Sequence, residues 1–165
     1  MARPTLVLLP GLLNTAQVFQ PLIAALGDAA DVIVPELHRC ESIGDMAEVP
    51  VEGTFALVFV VFNTFFQLYS QDAQLRCFAN VAEHLEPGGR FLVHAFVPDT
   101  SRVEAGEHLA VKEASLDRVR LDASVFDALA QRLDTTQVRI TEQGIRLVHA
   151  KLRFAWPPEL DLMAK

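Results

Sequence analysis

The stretch Phe55-Ala-Leu-Val-Phe-Val-Val-Phe62, followed at once by Asn63 and Thr64, decides the fold. Apolar residues without polar alternation form a strand buried on both faces. Such strands lie in the middle of a parallel sheet that has helices on each side. A membrane span needs about 20 such residues, so this run is too short to cross a bilayer. Downstream, Ser70 is predicted to cap a helix with Leu75, Phe78, Ala82 and Leu85 on one face, and Pro87-Gly88-Gly89 to stop it. Residues 90–96, RFLVHAF, then form the next parallel strand, which completes a βαβ unit.

Upstream, residues 5–9 (TLVLL) read as a strand, and Asn14 or Thr15 as the cap of a helix. Val18, Phe19, Leu22, Ile23 and Leu26 share its apolar face, Pro21 sits near its first turn, and Gly27 suits its end. Residues 32–34 (VIV) are the core of a second strand. Four parallel strands are therefore expected, near 5–9, 31–35, 55–62 and 90–96, with residues 38–53 as a loop holding one short helix. Residues 99–115 read as a linker or mobile loop. Segments 118–125, 137–141 and 145–155 alternate in character, as half-exposed antiparallel strands do, and Glu142-Gln143-Gly144 fits a hairpin turn. Pro157-Pro158-Glu159 opens a last helix. The expected fold class is α/β: a mostly parallel, Rossmann-like sheet with flanking helices plus a C-terminal antiparallel β section, in a single domain of residues 1–165.

Composition narrows the function classes. A chain of 165 residues corresponds to one domain, and 51% hydrophobic with 21% charged residues excludes intrinsic disorder. A net charge of −7 argues against a nucleic-acid partner. No membrane partner or targeting segment is expected. Cys40 and Cys77 lack metal spacing and read as reduced thiols, which points to the cytoplasm. His38, His84, His94, His108 and His149 show no metal-site spacing either, so no metal is expected. His94, in an otherwise apolar strand, reads as a core or strand-end histidine. The arginines of 118–153 are interleaved with Asp and Glu and read as a solvated face without a basic patch. Asn63 and Thr64 end a central strand at the carboxyl edge, where open α/β sheets bind ligands.

Two resemblances emerge. LVLLPGLLNTAQVFQPLIAALGDAADVIVPEL, with HRCESI after it, resembles the start of an α/β-hydrolase over residues 4–44. That likeness implies an oxyanion-type backbone donor in the Gly11-Leu12-Leu13 loop, with Leu12 N–H as the donor. From about Asp45, DMAEVPVEGTFALVFVVFNTFFQLYSQDAQLRCFANVAEHLEPGGRFLVHAFVPD is similar to the central part of class I S-adenosylmethionine-dependent methyltransferases. The segment from Ser115 to the C-terminus is similar to the antiparallel cover that some small bacterial members carry.

Neither likeness is complete. The methyltransferase pattern implies a GxGxG loop after the first strand, because the backbone must approach the cofactor closely. No GxG occurs in the chain. That pattern also implies an acidic residue at the end of the second strand to hold the ribose; Glu36 lies near that position and otherwise reads as a solvated loop carboxylate. The hydrolase pattern implies a GxSxG nucleophile, and none occurs. The expectation is a chimeric or recombined α/β protein, joined near Gly44-Asp45 by deliberate or selected recombination, with no catalytic residues and no cofactor. Asn63, Thr64 and Glu36 are its vestigial cofactor-contact candidates. The alternatives are a truncated or degenerate methyltransferase using S-adenosylmethionine, and a dimeric binding or assembly module. A homodimer is the expected partner state, because sheet edges stripped of neighbours template pairing, and exchange of segment 117–156 is one route to it.

Overall fold

A computed structural model of the protein describes residues 3–10, 16–35, 52–98 and 106–165. These form two compact units, Met1–Phe96 with Pro158–Lys165, and Val97–Pro157.

The first unit holds a parallel sheet of β1 (Thr5–Leu9), β2 (Asp31–Ile33), β3 (Phe55–Val60) and β4 (Leu85–Val93), in the order β2-β1-β3-β4. The register pairs Leu8 with Phe59 and Phe59 with Leu92 on one face, and Val7 with Val58 and Val58 with Phe91 on the other. Each face has its own cover. Phe19, in a 3₁₀ turn at Ala16–Phe19, packs with Leu8, Val61 and Phe59 beside helix α1 (Gln20–Leu26). On the opposite face, Phe78 of helix α2 (Gln71–Glu83) meets Phe91 edge-on at 5.6 Å, and Phe65 meets both rings. The unbroken apolar character of residues 55–62 follows from this two-sided burial. Pro21 lies in the first turn of α1, and Gly27 ends that helix at φ 49°, a conformation that favours glycine.

Ser70 caps α2 as expected, its Oγ accepting the Ala73 N–H at 3.1 Å. The buried face of α2, however, is Ala73, Gln74, Cys77 and Val81, and Leu75 is 42% exposed. The buried face lies one position from the one the apolar spacing predicts, with the polar Gln74 fully buried in place of Leu75. The helix ends at Glu83, before Pro87-Gly88-Gly89, which bends the start of β4 instead. Gly89 permits the pairing there: a Cβ on it would lie 2.9 Å from the Glu86 and Phe55 carbonyl oxygens.

The second unit is an antiparallel meander of β5 (Gly106–Ala114), β6 (Arg118–Asp127), β7 (Arg132–Thr141) and β8 (Gly144–Arg153). The turn at Glu142–Gln143 joins β7 to β8 as expected. Residues 106–114, read as part of a linker or mobile loop, are strand β5, paired with β6 from Gly106↔Phe126 to Ala114↔Val119. This is an edge strand, and its Glu, Lys and Ala residues dilute the alternation that marks the inner strands. At the far end of the sheet Phe126 and Phe154 stack at 5.2 Å, and Trp156 meets Phe154 edge-on. Helix α3 (Pro157–Met163) returns to the first unit, with Met163 buried and Glu159 accepting a hydrogen bond from the Gln71 side chain. Among the described residues no helix is long and apolar enough to cross a membrane.

Candidate functional site at the carboxyl edge of the parallel sheet

The strand order makes the gap between β1 and β3 a topological switch point. The chain leaves β1 to one side to make β2, then returns past β1 to make β3. Open α/β sheets bind ligands outside the strand carboxyl ends at such a point. Gly11, Leu12 and Glu36, which follow β1 and β2 in the sequence, lie outside the described residues. The described part of the edge is built from the ends of β3 and β4.

Pairing between β3 and β4 runs on past both strands: His94 N–H donates to the Val60 carbonyl at 2.8 Å, and Asn63 N–H to the His94 carbonyl at 3.1 Å. Phe62 is the extra residue between these two bonds. Both Phe62 and Asn63 are left-handed, at φ 57° and 61°. Asn tolerates that region, but for Phe it is a rare and strained conformation. Three side-chain contacts hold it. Phe62 N–H donates to His94 Nδ1 at 3.2 Å, the Phe62 ring meets the His94 imidazole edge-on at 6.1 Å, and Asn63 Oδ1 accepts the Phe96 N–H at 2.8 Å.

The chemistry follows from these bonds. Phe62 is 50% exposed, so a strained backbone presents an aromatic face to solvent at the sheet edge. Asn63 is half-buried. With Oδ1 committed to Phe96, its amide can offer a ligand only the Nδ2 hydrogens. His94 is exposed beside it, a strand-end residue and not a core one. With Nδ1 accepting from a backbone N–H, the neutral ring carries its proton on Nε2 and acts there as a donor. Thr64 is fully buried, and its hydroxyl donates to the Val61 carbonyl at 2.6 Å, so it braces the turn from beneath. Phe65 and Phe66, also buried, anchor the following 3₁₀ turn, Thr64–Gln67. The sequence places Phe62 at the end of a run buried on both faces and His94 at a core or strand-end position; the left-handed bulge that leaves both exposed has no mark in composition. Among the described residues no three of His, Cys, Asp and Glu come together as a metal site requires.

A scan against protein-family models gives no match, and a search of curated proteins gives none. Solved structures do match. The CcbJ methyltransferase from Streptomyces caelestis is 32% identical, with a TM-score of 0.78 over 99% of this chain and 71% of that one. An S-adenosylmethionine-dependent methyltransferase from Clostridium acetobutylicum shares the fold at 11% identity, with a TM-score of 0.67 over 97% of this chain and 71% of that one. An amino pentose methyltransferase from Micromonospora echinaspora, solved with S-adenosylmethionine bound, shares it at 17% identity and a TM-score of 0.57, over 97% of this chain and 73% of that one. These matches take in β1 and β2, so the hydrolase-like reading of residues 4–44 is not supported. A strand–helix–strand segment of about 40 residues is shared by all doubly wound folds and cannot distinguish them. At 32% identity to a methyltransferase over 99% of its length, and with the same fold as the others, this protein belongs to the class I S-adenosylmethionine-dependent methyltransferase family.

Proposed function

We propose that the protein is a methyltransferase that takes its methyl group from S-adenosylmethionine, bound at the carboxyl edge of β1 and β3. The observation that carries this reading is 32% identity to a methyltransferase over 99% of the chain. It replaces the expectation, drawn from the missing GxGxG and GxSxG motifs, of a protein without activity or cofactor.

The described edge suits such a ligand in part. When bound, the cofactor supplies a methyl group on a cationic sulfonium, which passes to a nucleophile as the sulfonium becomes a thioether. The exposed Phe62 ring offers a π-face to a cation or a purine. The Nδ2 hydrogens of Asn63 and the Nε2 proton of His94 offer donors. His94 orients and donates; it does not serve as a base through Nε2, because its acceptor nitrogen is already engaged by Phe62 N–H. In this reading Thr64, its hydroxyl bonded to the Val61 carbonyl, braces the turn that carries Asn63. A single glycine in place of GxGxG predicts a donor site weaker than a full glycine loop would make.

Calorimetric titration with S-adenosylmethionine and S-adenosylhomocysteine tests the proposal. Binding in the micromolar range, abolished or strongly weakened by Phe62→Ala, supports it. Failure to bind either more tightly than about 1 mM, roughly −4 kcal/mol, returns the chain to the reading without a cofactor.

A further inference from the structure

The register of the antiparallel sheet places Arg120, Arg139 and Arg146 directly opposite one another on β6, β7 and β8. Arg118 and Thr141 face each other one step further along the same side of the sheet. Like charges directly opposite on neighbouring strands destabilise a sheet, so three arginines in succession call for a counter-charge. The carboxylates beside the row, Glu113 and Asp122, form their ion pairs with other cations. Glu113, the register partner of Arg120, pairs with Arg118 at 3.6 Å, and Asp122 pairs with Lys112 at 3.7 Å. Arg120 Nε and Asp122 Oδ1 are both buried without a hydrogen-bond partner. Arg139 Nε donates to the neutral Gln137 Oε1 at 2.9 Å. Asp117 and Glu142 sit in the turns at this end of the sheet, where Ser115 Oγ donates to Asp117. Among the described residues no carboxylate forms an ion pair with Arg120, Arg139 or Arg146. A concavity of about 360 Å³ is lined by Glu113, Arg118, Arg120, Arg139 and Thr141, and one of about 300 Å³, sharing Arg139 and Thr141, extends to Arg146.

We propose that this row is a binding site for a small molecule carrying linked phosphoryl groups. Guanidinium forks match phosphate oxygens bidentately, which distinguishes arginine from lysine in this role. The row spans two strand spacings, roughly 10 Å. A diphosphate offers oxygens over more of that span than a single phosphate does, and can engage more of the row. The site lies wholly within the second unit and is independent of the methyl-donor reading.

The test is calorimetric titration of the full chain with inorganic pyrophosphate and, separately, orthophosphate, at matched ionic strength. Pyrophosphate is expected to bind more tightly than about 1 mM and orthophosphate at least about tenfold more weakly. Arg139→Gln, at the centre of the row, should weaken pyrophosphate more than about tenfold, and Arg90→Gln, on β4 of the other unit, should leave it unchanged. Arg146→Gln, at an exposed position, should also weaken it and provides the reading if Arg139→Gln fails to fold. Absence of pyrophosphate binding, binding retained by both row variants, or orthophosphate binding as tightly as pyrophosphate would overturn the proposal.

Discussion

Substitution of Asn63 probes the turn on which the candidate site rests. Asn63 sits at φ 61°, and its Oδ1 accepts the Phe96 N–H at 2.8 Å. Alanine loses both adaptations. Holding an ordinary L-residue in the left-handed region costs roughly 1–2 kcal/mol. Leaving a partly buried N–H unpaired costs about 1–3 kcal/mol, toward the lower end here because Phe96 is only half-buried. Asn63→Ala should therefore lose about 2–4 kcal/mol. Asn63→Gly relieves the backbone but not the orphaned N–H, and should lose roughly 1–2 kcal/mol. Asn63→Asp keeps the acceptor and tolerates the same φ, and should lose less than about 1 kcal/mol. Urea unfolding followed by circular dichroism, with unchanged m-values, gives the three numbers. The order Asp, Gly, Ala is the signature of a left-handed, hydrogen-bonded asparagine. An alanine variant within about 0.5 kcal/mol of wild type, or a glycine variant worse than alanine, would refute the reasoning.

Three further outcomes are expected. Phe65 is 2% exposed and contacts the rings of Phe66, Phe78 and Phe91, so Phe65→Ala should cost about 3–5 kcal/mol in the same assay and Phe65→Leu less than about half of that; equal costs would show that ring contacts contribute nothing. Burial pushes the Cys77 thiol up to about 12. Because the folded state favours the neutral thiol, its contribution is complete below the unfolded value near 9 and is lost as pH rises toward 12. Stability should therefore fall more steeply across that window in the wild type than in Cys77→Ala, and parallel pH profiles would contradict the assignment. A homodimer is expected, because among the described residues no strand pairs with the outer edges of β2 and β4, and Leu109, Val111, Ile145 and Leu147 are each more than half exposed on one face of the second sheet. Light scattering should give about twice 18.2 kDa, and Leu147→Glu should shift the mass toward the monomer; a wild-type mass of 18.2 kDa at every concentration rules the dimer out.

What the sequence determined by itself is local and periodic. The unbroken run 55–62 specified a central parallel strand, Ser70 specified the start of α2, and the alternation in 118–125 and 145–155 specified antiparallel strands, because burial on two faces, capping and pleating each act within a few residues. Asn63 could be placed at a carboxyl edge for the same reason. Tertiary structure decided the rest. Packing in the folded unit buried Gln74 of α2 and left Leu75 exposed, against the polarity of both. Pairing with β6 made a strand of the charged segment 106–114. The bulge between β3 and β4 turned Phe62 outward and gave His94 Nδ1 its donor, through residues 32 positions apart. The arginine row is the clearest case. Along the chain Arg120, Arg139 and Arg146 are dispersed among acids, and they become neighbours only through two hairpin registers, since a shift of one residue in either pairing would move an arginine to the opposite face of the sheet.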